Sequence, residues 1–495
     1  MKPVPPKRST TWLLLMGIFV SYLSMSPAGV QMNGYIAEEM NSAKRIMAIF
    51  NSWWKHRPIP DMAWSRHGPI PVLFDIPFIK LGKFAVSEDF VLSFQPVLCT
   101  ALLLTVLFLW LRKVASPGVS LLITLMAAFG TMLWPYAYIG LETKQSLFVM
   151  LAGYLGIGCG RIGRWPRAIL FGVVCGLAVT LKSSGVILLP MVAGLIYEQY
   201  KDDWRSRRGQ TLIVVLIVVA FCAIDFLGRK FFWDPGGSSA QTLRDWSVRS
   251  PFQFLSNVLG NFGSPTKGLF LFAPILLCSL WAIPRIWRTY RSMTIFTLLV
   301  TGFMTMLIST LLVTADEVWG TRYMHVAIAP LSLCIGAAWP RLNWRTHVPL
   351  AALGALGVAI SFLGAFYYYG SRSSAMYAGG QNTMEWIAGD SVWNEVAFDA
   401  RAFNVWIEGC TEASPWTPKH IWVWELPPGT PPWKTIDMRT YCRPQSFLLQ
   451  HWSEPLQGSL LSVLRMYLFC IIAGPLLLAA VVWRSVVEYR QSSLS

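Results

Sequence analysis

The stretch TADEVWGTRYMHVAIAP, residues Thr314–Pro330, lies between two apolar runs that are each long enough to cross a bilayer. It places Asp316, Glu317 and Arg322 at a boundary where the surrounding composition indicates a membrane. Charged side chains in or beside membrane spans are costly, and by default they indicate a functional site. The positions of such charges along the chain therefore guide the prediction of both fold and function.

The composition excludes an ordinary soluble protein. Of the 495 residues, 54% are hydrophobic and only 13% are charged, whereas soluble domains have about a quarter of their residues charged. Repeated apolar runs of spanning length predict an all-α polytopic membrane protein. The net charge of +16 is typical of positively charged cytoplasmic loops, so it indicates topology and not a nucleic-acid partner.

We predict about twelve transmembrane helices. They cover approximately residues 11–28, 90–111, 117–138, 144–160, 168–184, 185–199, 211–230, 268–284, 293–314, 322–340, 347–368 and 458–483. Residues 168–184 and 185–199 are short, and a re-entrant hairpin is the alternative there. With the N-terminus inside, every cytoplasmic segment carries at least two basic residues, as the positive-inside rule requires. Both termini are then predicted to be cytoplasmic, and the first apolar run is a span, not a cleaved signal peptide.

Three long segments face outwards in this topology, namely the first loop, residues Phe232–Lys267 and the segment between the last two spans. The first loop, 29–89, contains a predicted amphipathic surface helix and belongs with a transmembrane catalytic domain over 1–368. Residues 369–457 form a predicted small outer cap between the last two spans, and 458–495 supply the final helix and a cytoplasmic tail. The outer segments contain no Asn-x-Ser/Thr glycosylation acceptor, which favours a bacterial cytoplasmic (inner) membrane.

Two of the nine cysteines, Cys410 and Cys442, lie in the polar cap, whereas the others lie in apolar runs. A disulfide between these two is predicted if the cap faces an oxidising compartment, and two separate thiols are the alternative.

The first outer loop offers carboxylates that could act as a general base on an acceptor hydroxyl. The candidates are Glu38, Glu39 and Asp61, and Asp75 follows them in the same loop. Arg66 and His67 are cations that could bind an anionic donor, and Asp61 is favoured because it lies near them. The alternative for the two glutamates is the solvated face of a surface helix.

Four later elements each place a charge at an outer end. Glu142 and Lys144 lie where one span turns into the next, and a structural ion pair between them is the alternative to a functional role. Lys182, at the end of a short span, either reaches the membrane surface or contacts a phosphate. Lys267 precedes a span whose first turn is a natural anion site, with an ordinary anchor lysine as the alternative.

Arg322 begins the span after the opening stretch, and its fork of donors suits a phosphate. A pair with Asp316 or Glu317 is compatible with that role. Acids and cations therefore converge on one face, which suits a reaction between a phosphate-bearing lipid and an acceptor hydroxyl. A transporter would instead be expected to carry polar residues near the middle of its spans, and the predicted spans of this chain are largely apolar there.

The order of these parts resembles the GT-C superfamily of integral membrane glycosyltransferases, which includes protein O-mannosyltransferases and the lipid A aminoarabinose transferase. The resemblance covers most of Thr11–Pro340. Its motifs are SRHGPIPVLFDIPF, GTMLWPYAYIGLETKQSL, GLAVTLKSSGVILLP, SPTKGLFLFAP and DEVWGTRYMHVAIAPL. The cap matches no part of the family pattern.

The resemblance implies a GT-C-like fold and an inverting transfer of a hexose or pentose from a polyprenyl-phosphate donor on the outer face. It also implies a base in the first outer loop. Members often carry an aspartate just after the first span, where this chain has Asn33, and an amide cannot accept the proton. The resemblance then implies that the base is Asp61, Glu38 or Glu39. It implies that Arg322 and Lys182 bind the donor phosphate. Supporting roles go to Glu142, Asp316 and Glu317.

The predicted function is transfer of a sugar to a lipid, glycan or protein acceptor of the cell envelope, with membrane lipids and the donor as the other partners. Some relatives use a divalent metal, but no His/Asp/Glu cluster of ligand spacing is present in the sequence, so we predict no cofactor and no metal. The alternatives are a lipid or sugar translocase and a non-catalytic partner in envelope assembly.

Overall fold

The computed structural model describes most of the helical part of the chain. The described residues are 8–26, 42–48, 68–82, 91–140, 142–159, 165–230, 250–264, 268–310, 322–339, 344–366, 423–425, 435–437 and 459–494.

All the regular elements described in the first half of the chain are helices. Its α-helices are α1 (Arg8–Leu23), α2 (42–48), α3 (Pro69–Gly82), α4 (Phe94–Val114), α5 (Pro117–Phe129), α6 (Leu133–Ile139), α7 (Thr143–Gly153), α8 (Trp165–Thr180), α9 (Leu189–Tyr200) and α10 (Arg208–Gly228). A π-helical turn, Tyr154–Gly158, extends α7, and a 3₁₀ helix, Ser183–Leu188, precedes α9.

The second half continues in the same way. Its α-helices are α11 (Pro251–Gly263), α12 (Leu269–Phe272), α13 (Cys278–Ile286), α14 (Arg291–Ser309), α15 (His325–Ala338), α16 (Trp344–Phe366) and α17 (Ser459–Leu494). Short 3₁₀ helices, Pro274–Leu277 and Arg322–Met324, precede α13 and α15.

Among the described residues, five helical stretches are long and apolar enough to cross a membrane, and they confirm the membrane-protein character. They are Phe94–Val114, Arg208–Gly228, Arg291–Ser309, Val348–Phe366 and Arg465–Glu488. Each of the twelve predicted spans overlaps a described helix or a pair of helices, but several are shorter than a full span, so the number twelve stays a prediction.

Burial divides these helices into central and peripheral ones. α4 is mostly buried, whereas α10 exposes a row of large apolar side chains that includes Leu212, Leu216 and Val219. Exposed aliphatic groups on a spanning helix are suited to lipid chains. α4 therefore lies inside the bundle and α10 at its edge.

The first and last helices pack closely along each other. The Cα of Gly17 in α1 lies against Leu478 of α17, and Gly474 lies against Ser21, so a larger side chain at either glycine would collide with its neighbour. Small residues allow such close approach between membrane helices. Hydrogen bonds also join these two helices to α4, because Glu488 of α17 accepts from Thr10 of α1 at 2.7 Å and from Arg112 of α4 at 2.9 Å. The start of the first helix and the end of the last therefore lie at the same end of the bundle.

Two strands, β1 (Val423–Glu425) and β2 (Thr435–Asp437), form an antiparallel pair in which Trp424 lies opposite Ile436. They fall in the predicted cap. The helical class is thus confirmed for the described parts before residue 367 and after residue 458, and the cap adds a hairpin that the sequence pattern did not predict.

Candidate functional site

A tight reversal of the chain brings the first polar side chain of the site into place. α6 ends at Ile139 and is followed by Gly140, whose φ of 81° is a conformation that only glycine adopts at little cost. Glu142 follows as the residue that precedes α7. Its side chain is fully buried, and the first turn of α7 also buries Lys144, Gln145 and Ser146.

Glu142 is the centre of a buried ion cluster. Its Oε1 atom contacts Lys182 Nζ and lies 2.8 Å from Arg322 Nε. The side chains of Lys182 and Arg322 are only 6% and 2% exposed, and that of Glu142 is not exposed at all. We call these three residues the Glu142 cluster. Charges as deeply buried as these need close partners, because moving one ion from water into a protein interior costs on the order of several kcal/mol.

Lys182 enters the cluster from a break between two helices. α8 ends at Thr180, and Lys182 itself has extended backbone dihedrals before the 3₁₀ helix begins. Gly185 packs so closely on this break that a Cβ there would collide with the carbonyl oxygen of Val179. The alternative in which Lys182 reaches the membrane surface is therefore wrong, since its side chain turns into the protein.

Arg322 enters from the start of the 3₁₀ helix that leads into α15. Tyr323 beside it lies under both cations, with Lys182 Nζ 4.3 Å and Arg322 Cζ 5.3 Å from the ring centroid. The negative face of an aromatic ring attracts a cation. Tyr323 thus helps to hold the two positive groups side by side.

A second buried ion pair adjoins the cluster. Lys144 Nζ lies 2.7 Å from Asp75 Oδ1, and Gln95 donates a hydrogen bond to the same oxygen. The predicted alternative of a Glu142–Lys144 pair is therefore wrong, because the two side chains bind different partners. Asp75 lies on α3, so one carboxylate of the first outer loop does reach the cations of the later elements.

Ser146 and His325 complete the polar part of the described site, and the sequence interpretation did not include them. Ser146 Oγ donates to the carbonyl oxygen of Glu142 at 2.8 Å and lies 2.7 Å from His325 Nδ1. The His325 ring is fully buried, with its centroid 4.9 Å from that of Tyr136. A histidine inside an apolar helix, three residues after Arg322, was the available signal.

The site lies where two helices begin side by side. Glu142 contacts Arg322, and Ser146, one turn later, contacts His325, so α7 and the segment leading into α15 run in the same direction here. Helix N-termini carry partial positive charge and present backbone N–H groups, which favours anions.

Most of the other predicted site residues lie outside the described residues. These are Glu38, Glu39, Asp61, Arg66, His67, Lys267, Asp316, Glu317, Cys410 and Cys442. Their roles, including the base, the pairing of Arg322 with its neighbouring acids and the disulfide, stay predictions. Within the part of the chain that the structure describes, no group of three His, Cys, Asp or Glu side chains is placed to hold a metal ion.

No family model matches the sequence. Two curated proteins are similar to parts of it. One is an undecaprenyl phosphate-alpha-4-amino-4-deoxy-L-arabinose arabinosyl transferase of Pseudomonas paraeruginosa, which is 27% identical over 189 residues that make up 34% of each chain. The other carries the same name with the number 1, from Pseudomonas fluorescens, and is 28% identical over 161 residues, or 27% of each chain. The matched region spans about a third of the length of these relatives.

The resemblance to the GT-C membrane glycosyltransferases is thereby confirmed. Among solved structures, the chain is similar to the crystal structure of ArnT from Cupriavidus metallidurans in the apo state. That similarity has 15% identity and a TM-score of 0.49, over 97% of this chain and 78% of the other.

Proposed function

We propose that this protein is a membrane glycosyltransferase that moves a sugar from a polyprenyl-phosphate donor to a lipid, glycan or protein acceptor of the cell envelope. The single observation that carries the proposal is the buried convergence of Lys182 and Arg322 on Glu142, in a chain similar to arabinosyl transferases. Undecaprenyl phosphate-4-amino-4-deoxy-L-arabinose is the first donor to test, because both relatives are named for it.

The cluster has the chemistry that a phosphate needs. A guanidinium offers planar, paired donors and an ammonium offers a compact charge, and both are strong phosphate ligands. Two helix N-termini open at the same place, where backbone N–H groups favour an anion. We assign the donor phosphate to Lys182 and Arg322, with Glu142 holding the two cations in position.

The reaction also needs a base for the acceptor hydroxyl. We assign this role to Asp61, Glu38 or Glu39 of the first outer loop, since Asn33 cannot accept a proton. Arg66, His67 and Lys267 would assist in binding the donor, and Asp316 and Glu317 would position Arg322. The base takes the proton of the acceptor hydroxyl, whose oxygen bonds to the anomeric carbon as the bond from that carbon to the phosphate oxygen breaks and polyprenyl phosphate leaves. This direct displacement inverts the anomeric carbon, and no metal is required in this scheme.

The proposed setting is a bacterial inner membrane, with both termini cytoplasmic and the site at the outer face. Residues 1–368 would form the catalytic domain, 369–457 the outer cap and 458–495 the final helix and tail. The basic residues of the alternate loops support this orientation.

The test is transfer of labelled sugar from the undecaprenyl-phosphate donor by the purified protein in liposomes, with extracted envelope lipids as the first acceptor. Wild type is compared with Asp61→Asn, Glu38→Gln, Glu39→Gln and Arg322→Ala, and with Lys201→Ala at an exposed ion pair as the control. We expect loss in Arg322→Ala and in one of the three acid variants, with no change in the control. Equal rates in all variants would reject the assignment, and movement of the lipid across the bilayer without a new glycosidic bond would identify a translocase.

A further inference from the structure

We assign the proton of the neutral His325 ring to one of its two nitrogens from the contacts of Ser146. Ser146 has one hydroxyl hydrogen, and it is donated to the carbonyl oxygen of Glu142 at 2.8 Å. The Oγ atom can then only accept from His325 Nδ1, which lies 2.7 Å away. In the neutral ring Nδ1 is therefore the donor, and Nε2 keeps its lone pair as an acceptor.

His325 Nε2 is buried and has no hydrogen-bond partner among the described residues. Glu142 Oε2 and Gln145 Oε1, at the start of α7, are also buried and have no hydrogen-bond partner among the described residues. Glu142, Gln145 and Ser146 are at helical positions i, i+3 and i+4, so they lie on one face of α7, and Ser146 links that face to His325. Buried polar atoms without partners are uncommon in proteins, and a group of them on one helix face needs an explanation, which a bound ligand would supply.

We propose that His325 Nε2 accepts a hydrogen bond from a hydroxyl or amino group of the sugar on the donor lipid, a role that rests on the proposed function. Arg322 and His325 are three residues apart across a 3₁₀ turn, in which positions i and i+3 lie on the same side. One short segment thus presents a phosphate ligand and a sugar ligand to the same face of α7.

The chemistry of the two halves is complementary. Lys182 and Arg322 are donors only, and they suit the phosphate oxygens. His325 Nε2, Glu142 Oε2 and Gln145 Oε1 are acceptors only in this arrangement, and they would repel a phosphate but bind the O–H and N–H groups of a sugar. The geometry therefore separates recognition of the lipid phosphate from recognition of the sugar.

The test compares binding of undecaprenyl phosphate with that of undecaprenyl phosphate-4-amino-4-deoxy-L-arabinose, using purified protein in detergent. In His325→Asn the side-chain amide takes the place of Nδ1 and keeps the donor to Ser146, but no acceptor remains at the position of Nε2. His325→Gln places an amide near the Nε2 position and serves as the conservative rescue.

We expect wild type to bind the sugar-bearing lipid more tightly than undecaprenyl phosphate. His325→Asn should lose about tenfold of that preference, on the order of one net hydrogen bond, with unchanged binding of undecaprenyl phosphate, and His325→Gln should recover part of it. An undiminished preference in His325→Asn, equal losses for both lipids, or no preference in wild type would each overturn the inference. If His325→Asn loses the preference but wild type transfers no sugar, the inference stands and the proposed reaction is wrong.

Discussion

Replacing Glu142 with Gln removes a buried carboxylate that contacts both Lys182 and Arg322. Two unit charges about 4 Å apart interact with about 4 kcal/mol at an effective dielectric constant of about 20, so the two contacts together are worth about 8 kcal/mol before any relaxation. Glutamine keeps an acceptor oxygen, which offsets part of this loss. We therefore expect Glu142→Gln to lower the free energy of unfolding by about 3–5 kcal/mol, the usual result of removing one partner from a buried ion pair.

The measurement is thermal unfolding of the purified variants in detergent. Glu198→Gln is the matched control, because Glu198 lies 2.8 Å from Lys201 with both side chains partly exposed, and such pairs contribute about 0–1 kcal/mol. The double variant Glu142→Gln/Lys182→Met should recover part of the loss, since it removes one of the two cations that now face each other. Equal stability of Glu142→Gln and the control, or no recovery in the double variant, would refute this account of the cluster.

Three further predictions concern other parts of the molecule. Arg322→Lys should lower sugar transfer by about 10- to 100-fold in the liposome assay although the charge is kept, because lysine lacks the planar fork of donors. Glu488→Gln should destabilise the protein by about 1.5–3 kcal/mol in thermal unfolding, because it weakens a charged hydrogen bond with the buried Arg112; an unchanged midpoint would show that the first, fourth and last helices are held together without it. A photoreactive residue at Leu259, an exposed apolar position of α11, should crosslink to lipid acyl chains, whereas one at Asn257, which donates to Ser309 at 3.2 Å, should label protein; the reverse pattern would contradict a membrane-facing α11.

The helical bundle was predictable because its signals are local. Apolar length located a helix in every predicted span, and basic residues in alternate loops placed both termini on one side, in agreement with Thr10 and Glu488 in contact at one end. An interruption near residue 184 was also predicted, because the two apolar runs there are short, and the structure has it between Thr180 and Leu189. Its form was not predictable, since the close packing of Gly185 against Val179 is a contact and not a sequence pattern.

The site was only partly predictable, for a similar reason. Costly charges in apolar surroundings identified Glu142, Lys182 and Arg322, which the structure brings together. The ion-pair partners were not predictable from the sequence. Sequence proximity suggested a Glu142–Lys144 pair, whereas the fold brings Asp75 to Lys144 from 69 residues away. His325 was missed because a single histidine has little weight until its partner Ser146, on another helix, is known.

The energetics of the Glu142 cluster favour a role in function over one in stability. Hydrophobic residues of similar volume in place of a buried ion pair are often neutral or stabilising by about 1–4 kcal/mol, so packing alone gives no reason to keep these charges. Proteins depart from such rules mainly at functional sites. The buried ion cluster is one such exception here. A second is the set of buried acceptor atoms on Glu142, Gln145 and His325, which lack hydrogen-bond partners within the described residues. On the proposed function, donors that would bind the phosphate and acceptors that would bind the sugar lie side by side on α7 and the segment leading into α15, and a helix bundle without a ligand has no need of that arrangement.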